Sequence, residues 1–340
     1  MIATDFHTLA NVARCVSSNG APNPLDARHP CRPWHLLFDG IRSFWTAPVT
    51  PRPLALFRIG IAFVLLTQAF SLIGHLEELF GTQRVVDRPV TWASPLPGVP
   101  DLAWVKQALT LVGLPASFGV PFTLAVYVGA LIALLFGFRT RWSAGVAWLS
   151  HTALITTNSL AMYGVDAFAQ IGLFYCVFFP VGQVMSMDQA RSAGGRNARG
   201  NEPSFGAWLG LRILQIHVCV FYTASGIEKA SGEQWWNGEA IWRAVMGAPL
   251  DGPPIDCSFL AIVPWLSQGL CWMTLLLEAG IVAFVWHPRL RKLWLVSIIG
   301  MHVGIALLMN LWTFSATMIV FDLAAFGFSA RSGCSKVGIR

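Results

Sequence analysis

The constraint that governs this chain is an apolar run of roughly twenty residues that recurs eight times, at 54–74, 119–138, 143–162, 165–184, 205–227, 263–286, 293–310 and 313–328. An α-helix needs about 20 apolar residues to cross the hydrocarbon core of a bilayer. In lipid, each backbone polar group must find its partner inside the segment. Each run therefore reads as a transmembrane helix. The last two are separated only by Leu311 and Trp312, the least distinct boundary of the set. Charged residues make up 12% of the chain and hydrophobic ones 55%, whereas a soluble domain carries about 25% charged residues. The expected fold is all-α: a polytopic helical membrane bundle of about eight transmembrane helices, a multi-pass protein of the cell membrane with the lipid bilayer as its first partner.

The basic residues orient the bundle, because cytoplasmic loops are enriched in Lys and Arg. With eight spans, one side holds sixteen of them, in the two terminal segments and the loops at 139–141, 191–199 and 289–292. The other side holds five: Arg84, Arg88, Lys106, Lys229 and Arg243. Both termini are thus expected in the cytoplasm. The outer side then carries two long loops, 75–118 and 228–262. Residues 102–114 are apolar but too short to span, and read as an interfacial or re-entrant piece. Residues 1–45 read as a flexible segment with a short amphipathic surface helix at 34–46, residues 46–328 as the membrane domain, and 329–340 as a tail. No basic stretch followed by an apolar core and a cleavage site opens the chain, so no signal peptide is expected. The net charge of +6 is scattered between apolar segments and not gathered on one face, which argues against nucleic acid as a partner. The seven cysteines form no CxxC pair and no zinc spacing, so no metal is expected.

Ionisable residues inside spans are expensive and are candidates for function or for helix pairing. His151 and Asn158 lie seven residues apart, on nearly the same face of one helix, within the hydroxyl-rich SHTALITTNS. His302 lies within Gly300-Met-His-Val-Gly304, whose small residues permit close helix approach. Lys229 shares a stripe with Ser225, Tyr222 and Gln215. At the outer end of its helix, a lysine can snorkel to water; enclosed, it becomes a usable base. Counting helical rise from the loops places Arg212 and Glu278 at one depth, and Arg58 and Asp322 at another, so each couple is expected to form a structural ion pair. Downstream of Lys229, Trp235 and Trp236 read either as interface anchors or as a lid over a site that opens outward. In the second reading they join Tyr222 and Asn158 as candidate substrate-binding residues.

Four stretches together resemble the HTTM family (horizontally transferred transmembrane domain), which includes the membrane domain of vitamin K-dependent gamma-carboxylase. They are LALFRIGIAFVLL; SHTALITTNSLAMYGVDAF with FFPVGQVMSMD; FYTASGIEKASGEQWWNGEAI; and MHVGIALLMNLWTFSATMIV. The resemblance covers about residues 45–328. It implies that Lys229, after Gly226, Ile227 and Glu228, is the catalytic base, that His151 and His302 complete the catalytic set, and that a quinone or vitamin K-like quinol is the cofactor or substrate. The carboxylase also carries a large lumenal domain for its protein substrate, and nothing in this sequence resembles it, so carboxylation of protein glutamates is not expected.

Two readings follow. In one, the protein is a membrane enzyme acting on a quinol or another lipid-soluble substrate through Lys229. In the other, it is a non-catalytic membrane component of a peptide maturation, export or assembly system, with partner membrane proteins. A transporter is disfavoured, because the chain shows no inverted repeat and no pair of Gly/Pro-broken spans. The enzyme reading requires His151, His302 and Lys229 to line one cavity.

Overall fold

A computed structural model describes residues 49–80, 98–157, 163–192, 202–247, 258–287 and 289–328. The expected surface helix at 34–46, the N-terminal segment and the tail lie outside these residues, as does Asn158. The described chain is all-helical. Its helices are α1 (Arg52–Ile73), α2 (Leu76–Phe80), α3 (Leu102–Leu111), α4 (Gly119–Phe136), α5 (Thr140–Thr157), α6 (Gly164–Phe178), α7 (Met187–Ser192), α8 (Phe205–Ala230), α9 (Glu233–Trp236), α10 (Glu239–Met246), α11 (Phe259–Ile262), α12 (Pro264–Phe284), α13 (Arg291–Met309) and α14 (Trp312–Phe326).

Among the described residues, the eight helices of fifteen residues or more fall on the eight apolar runs. Five are long and apolar enough to cross a membrane: α1, α4 with the 3-10 turn before it, α8, α12 and α13. They fit a lipid bilayer environment. The other three, α5, α6 and α14, are shorter or more polar. They carry His151, Asp166, Thr317 and Asp322, all buried, and their polar faces turn into the bundle.

Helix α1 lies near the centre. It packs on α4, α6, α8 and α14, and Phe57 meets Phe321 of α14 edge-to-face with ring centroids 5.0 Å apart. Helices α3 to α6 form one side of the bundle, and α8, α12, α13 and α14 the other. The short α3 is capped by Asp101, which accepts the Trp104 N–H, and lies against α4 and α5. This matches the expectation of a short non-spanning piece in the first outer loop.

The pair α8–α12 is staggered, and this was not anticipated. A Cβ on Gly226 would sit 2.6 Å from the backbone nitrogen of Ala279, so the two backbones touch there and only glycine fits. The last turn of α8 therefore sits beside Glu278 and Ala279, about 21 Å along α12 from Pro264 at 1.5 Å per residue. In the other direction, Trp286, just past the end of α12, meets Cys219. The first turns of α8 run on beyond α12, and Arg212 comes within electrostatic reach of Arg291.

At the end of the bundle where α4 turns into α5, Asp188 accepts the backbone N–H groups of Arg139 and Thr140 and the Thr140 hydroxyl, at 2.7–2.8 Å. Gly137 and Arg139 both take positive φ in this turn. Partial burial alone would raise the Asp188 carboxyl. The Thr140 and Arg139 donors and the Arg191 guanidinium together outweigh it and hold the carboxyl below the ordinary carboxylate range. A depressed folded-state value means stability that is present above the unfolded value, about 3.9, and is lost as pH falls through the folded one. In pH-dependent thermal unfolding of detergent-solubilised protein, Asp188→Asn should cost about 1–3 kcal/mol near neutrality. The gap from wild type should narrow once the pH drops below about 4; a gap that stays constant down to the most acid pH contradicts the assignment.

Candidate functional site

Lys229 is placed by the stagger. The last turn of α8 ends beside the middle third of α12, and the Lys229 ammonium lies 2.6 Å from the Glu278 carboxylate and 2.5 Å from the Ser225 hydroxyl one turn earlier. The Trp235 ring stands over it, 5.6 Å from nitrogen to ring centroid. A quarter of the lysine side chain is accessible and almost none of the glutamate's, 26% against 7%. Lys229 lies in the last turn of its helix, as expected, but it is partly enclosed there by a carboxylate of α12. Past it the chain folds alongside α12 as α9 and α10 and forms a cap over the site. In this cap the backbone polar groups are satisfied locally: the Trp236 indole donates to the Ala230 carbonyl, Gln268 and Trp272 donate to the Trp236 carbonyl, and the Ser267 hydroxyl donates to the Gly238 carbonyl. Val245 and Leu260 form a small core of their own with Leu266, Leu270, Leu308 and Met309, which clamps the cap between α12 and the end of α13.

The stripe on α8 continues inward to Tyr222. Its hydroxyl lies 2.6 Å from Nε2 of His302 on α13 and 2.9 Å from a carboxylate oxygen of Asp322 on α14. All three residues are buried, with 2%, 2% and 1% exposure. Lys229 is within electrostatic reach of His302, and Glu278 of Tyr222. Four helices thus bring six polar side chains, Tyr222, Ser225, Lys229, Glu278, His302 and Asp322, into one connected region. At the inner end of the stripe, Gln215 donates to the Ala325 carbonyl and accepts from Arg212.

His151 belongs to a different cluster. Its Nδ1 is 2.6 Å from the Gln170 amide, its Nε2 is 3.6 Å from Asp166, and Tyr127 packs on its ring. Asp166 is fixed twice more: it caps the start of α6 by accepting the Tyr163 N–H, and it accepts from Gln68 of α1. Between the two clusters stands Phe168 of α6, packed against Phe221, Phe314 and Phe321, and Phe314 in turn packs on His302. His302 and Lys229 share a region; His151 lies across this aromatic partition.

Both expected ion pairs are corrected. Glu278 pairs with Lys229, and Arg212 donates to Gln215. Equal depth had been counted from the loops, but the stagger moves α8 relative to α12 by several turns. Arg58 and Asp322 do lie at one depth, since their neighbours Phe57 and Phe321 touch. One residue further along each helix is a 100° rotation. Arg58 therefore faces the Met185 carbonyl and the Asp188 end of the bundle, while Asp322 faces Tyr222. Trp236 lies in the cap, with its indole tied to Ala230 and the residue 54% exposed. The sequence reading missed Asp166, Gln170, Ser225 as a lysine ligand, and the pair of Tyr175 with His217, 2.5 Å apart. The i, i+4 spacing of Ser225 and Lys229 was the signal for one of these. An apolar groove of about 280 Å³ under α3, lined by Trp104, Phe122, Leu149 and Ala153, is on the His151 side.

Comparison of the chain with protein-family models, with well-described proteins and with solved structures finds no match.

Breaking a buried ion pair leaves one uncompensated charge, whereas replacing both partners by apolar residues of similar volume is nearly neutral. Lys229→Met should therefore destabilise the solubilised protein by about 3 kcal/mol, and adding Glu278→Leu should recover most of that loss. Additive losses in this double-mutant cycle would show that the two side chains do not interact.

Proposed function

We propose that the protein is a multi-pass protein of the cell membrane that carries out proton-transfer chemistry on a quinol or another lipid-soluble substrate, with Lys229 as the base. The observation that carries this reading is the position of Lys229. It is partly accessible, in the last turn of α8, bound to Glu278 and Ser225 and covered by Trp235. Lysine is among the side chains that serve as general bases, and a membrane-embedded ionisable group is a functional candidate by default. The Trp-capped approach suits a flat, apolar substrate that enters from the lipid. His302 fits a supporting role at the same site. His151 fits an architectural one, as the centre of the α5–α6 network. The resemblance to the HTTM family points the same way and suggests the substrate class; cytoplasmic termini then put the cap on the outer side.

A second reading, a non-catalytic component of a peptide maturation or assembly system, draws on the separation of His151 from Lys229. In it, the polar clusters serve only to pair helices.

Extraction and mass spectrometry of purified protein distinguish these readings. The wild type should retain a quinone or similar lipid in near-stoichiometric amount, and a reduced quinone added to it should turn over. Lys229→Gln should lower turnover by at least about a hundredfold, the scale of general-base catalysis. Equal turnover by the variant, or no retained lipid and no turnover in the wild type, moves the assignment to the second reading.

A further inference from the structure

Beside the Lys229–Glu278 pair stands a group whose charge no cation balances. Asp322 is 1% exposed. It accepts one hydrogen bond, from Tyr222, and its second oxygen has no partner among the described residues. The groups that face it can be named for each helix packed against α14. From α8 come Tyr222, Cys219 and, further along, Lys229. From α13 comes His302, joined through Tyr222. From α12, Glu278 acts on Tyr222. From α6 comes Phe168, which packs on Phe321. From α1, Phe57 faces Phe321 while Arg58 turns away to Met185. The Lys229 ammonium is already engaged by Glu278 at 2.6 Å. A carboxylate with one phenol donor and no cation is costly in an apolar interior, and such a group takes up a proton instead.

We propose that Asp322, Tyr222 and His302 form a proton store for the Lys229 site, with Asp322 held as the neutral acid and the Tyr222 hydroxyl as the relay. The inference rests on the proposed proton-transfer function and adds its acid half. In the loaded state the Asp322 O–H donates to the Tyr222 oxygen, the Tyr222 O–H donates to Nε2 of His302, and Nδ1 of His302 carries the ring proton. Discharge is a concerted shift. The Asp322 O–H bond breaks as a new Tyr222 O–H bond forms, and the old Tyr222 O–H bond breaks as a His302 Nε2–H bond forms. One proton leaves Asp322, one arrives on His302, and Tyr222 is unchanged. The imidazolium then gives up its Nδ1 proton. That atom has no partner among the described residues, so it is the end of the chain at which a substrate oxygen or a water can accept. No electron moves, and no co-reactant is consumed. A base on the α8 stripe, and an acid on α14 joined to the same stripe through Tyr222, suit a reaction that removes a proton from one atom of a lipophilic substrate and returns one to another.

Infrared spectroscopy of the protein in detergent or lipid at neutral pH tests the store without any substrate. The difference spectrum between wild type and Asp322→Asn should contain the C=O band of one protonated carboxylic acid, shifted in deuterium oxide. Glu278→Gln should leave that band in place, and Tyr222→Phe should move it, because its hydrogen-bond partner is gone. A difference spectrum that shows an ionised carboxylate at Asp322 overturns the proposal, as does a protonated-acid band that vanishes in Glu278→Gln. Should Asp322→Asn fail to fold, Tyr222→Phe decides: an unshifted acid band, or none in either protein, counts against the store. These outcomes do not depend on quinol turnover, so failure of the substrate reading and failure of the store are read separately.

Discussion

The contact between Gly226 and Ala279 sets the rest of the structure. Two helix backbones that touch at this point fix the rise of α8 against α12, and so place Lys229 beside Glu278 and Arg212 well away from it. The N-terminal half of α12 is left without α8 beside it, and the chain fills that space with α9 and α10. The cap and the ion pair are two consequences of one missing side chain. In apolar surroundings, where hydrophobic burial adds little between helices, such close approach and the hydrogen bonds it permits provide much of the specificity.

The polar residues divide into two networks with different economies of charge. Around His151 the ionisable groups are partnered: Asp166 caps a helix, receives Gln68 and faces the imidazole, while Gln170 bridges His151 and Thr152; Gln68 Oε1 and the Tyr127 hydroxyl have no partner among the described residues. Around Tyr222 the charges are balanced at one end, by Lys229 and Glu278, and open at the other, where Asp322 and His302 each keep an atom without a partner among the described residues. The open atoms near His151 belong to an amide and a phenol, whereas those near Tyr222 belong to a carboxyl and an imidazole, groups that bind and release protons. The aromatic partition at Phe168 keeps the two apart.

Most of the fold was legible in the chain because helix length and hydropathy are local properties. The eight apolar runs became eight helices, and the short segment at 102–114 became α3. Charge pairing was less legible, for two separate physical reasons. Helical rise from the loops assumes that neighbouring spans start in one plane, which failed for α8 and α12 and misplaced Glu278. Depth also says nothing of rotation. Arg58 and Asp322 share a level, yet each is turned one residue, or 100°, from the Phe57–Phe321 contact. The Lys229–Ser225–Tyr222 stripe was legible because it lies on one helix. Its partners Glu278, His302 and Asp322 come from three others, and only tertiary packing brings them together.

The stagger also bears on how such a chain enters a bilayer as it is synthesised. A lysine or a carboxylate near the centre of a span costs about 2.5–3.5 kcal/mol on insertion scales. Helix α8 carries Glu228 and Lys229 at its trailing end, and the carboxylate that neutralises Lys229 emerges only 49 residues later, on α12. Until α12 is made, Lys229 has no carboxylate of its own to meet, and the end of α8 must stay where water can reach it. The lysine and its partner are thus separated in the order of synthesis, and the pair can close only when both helices are present.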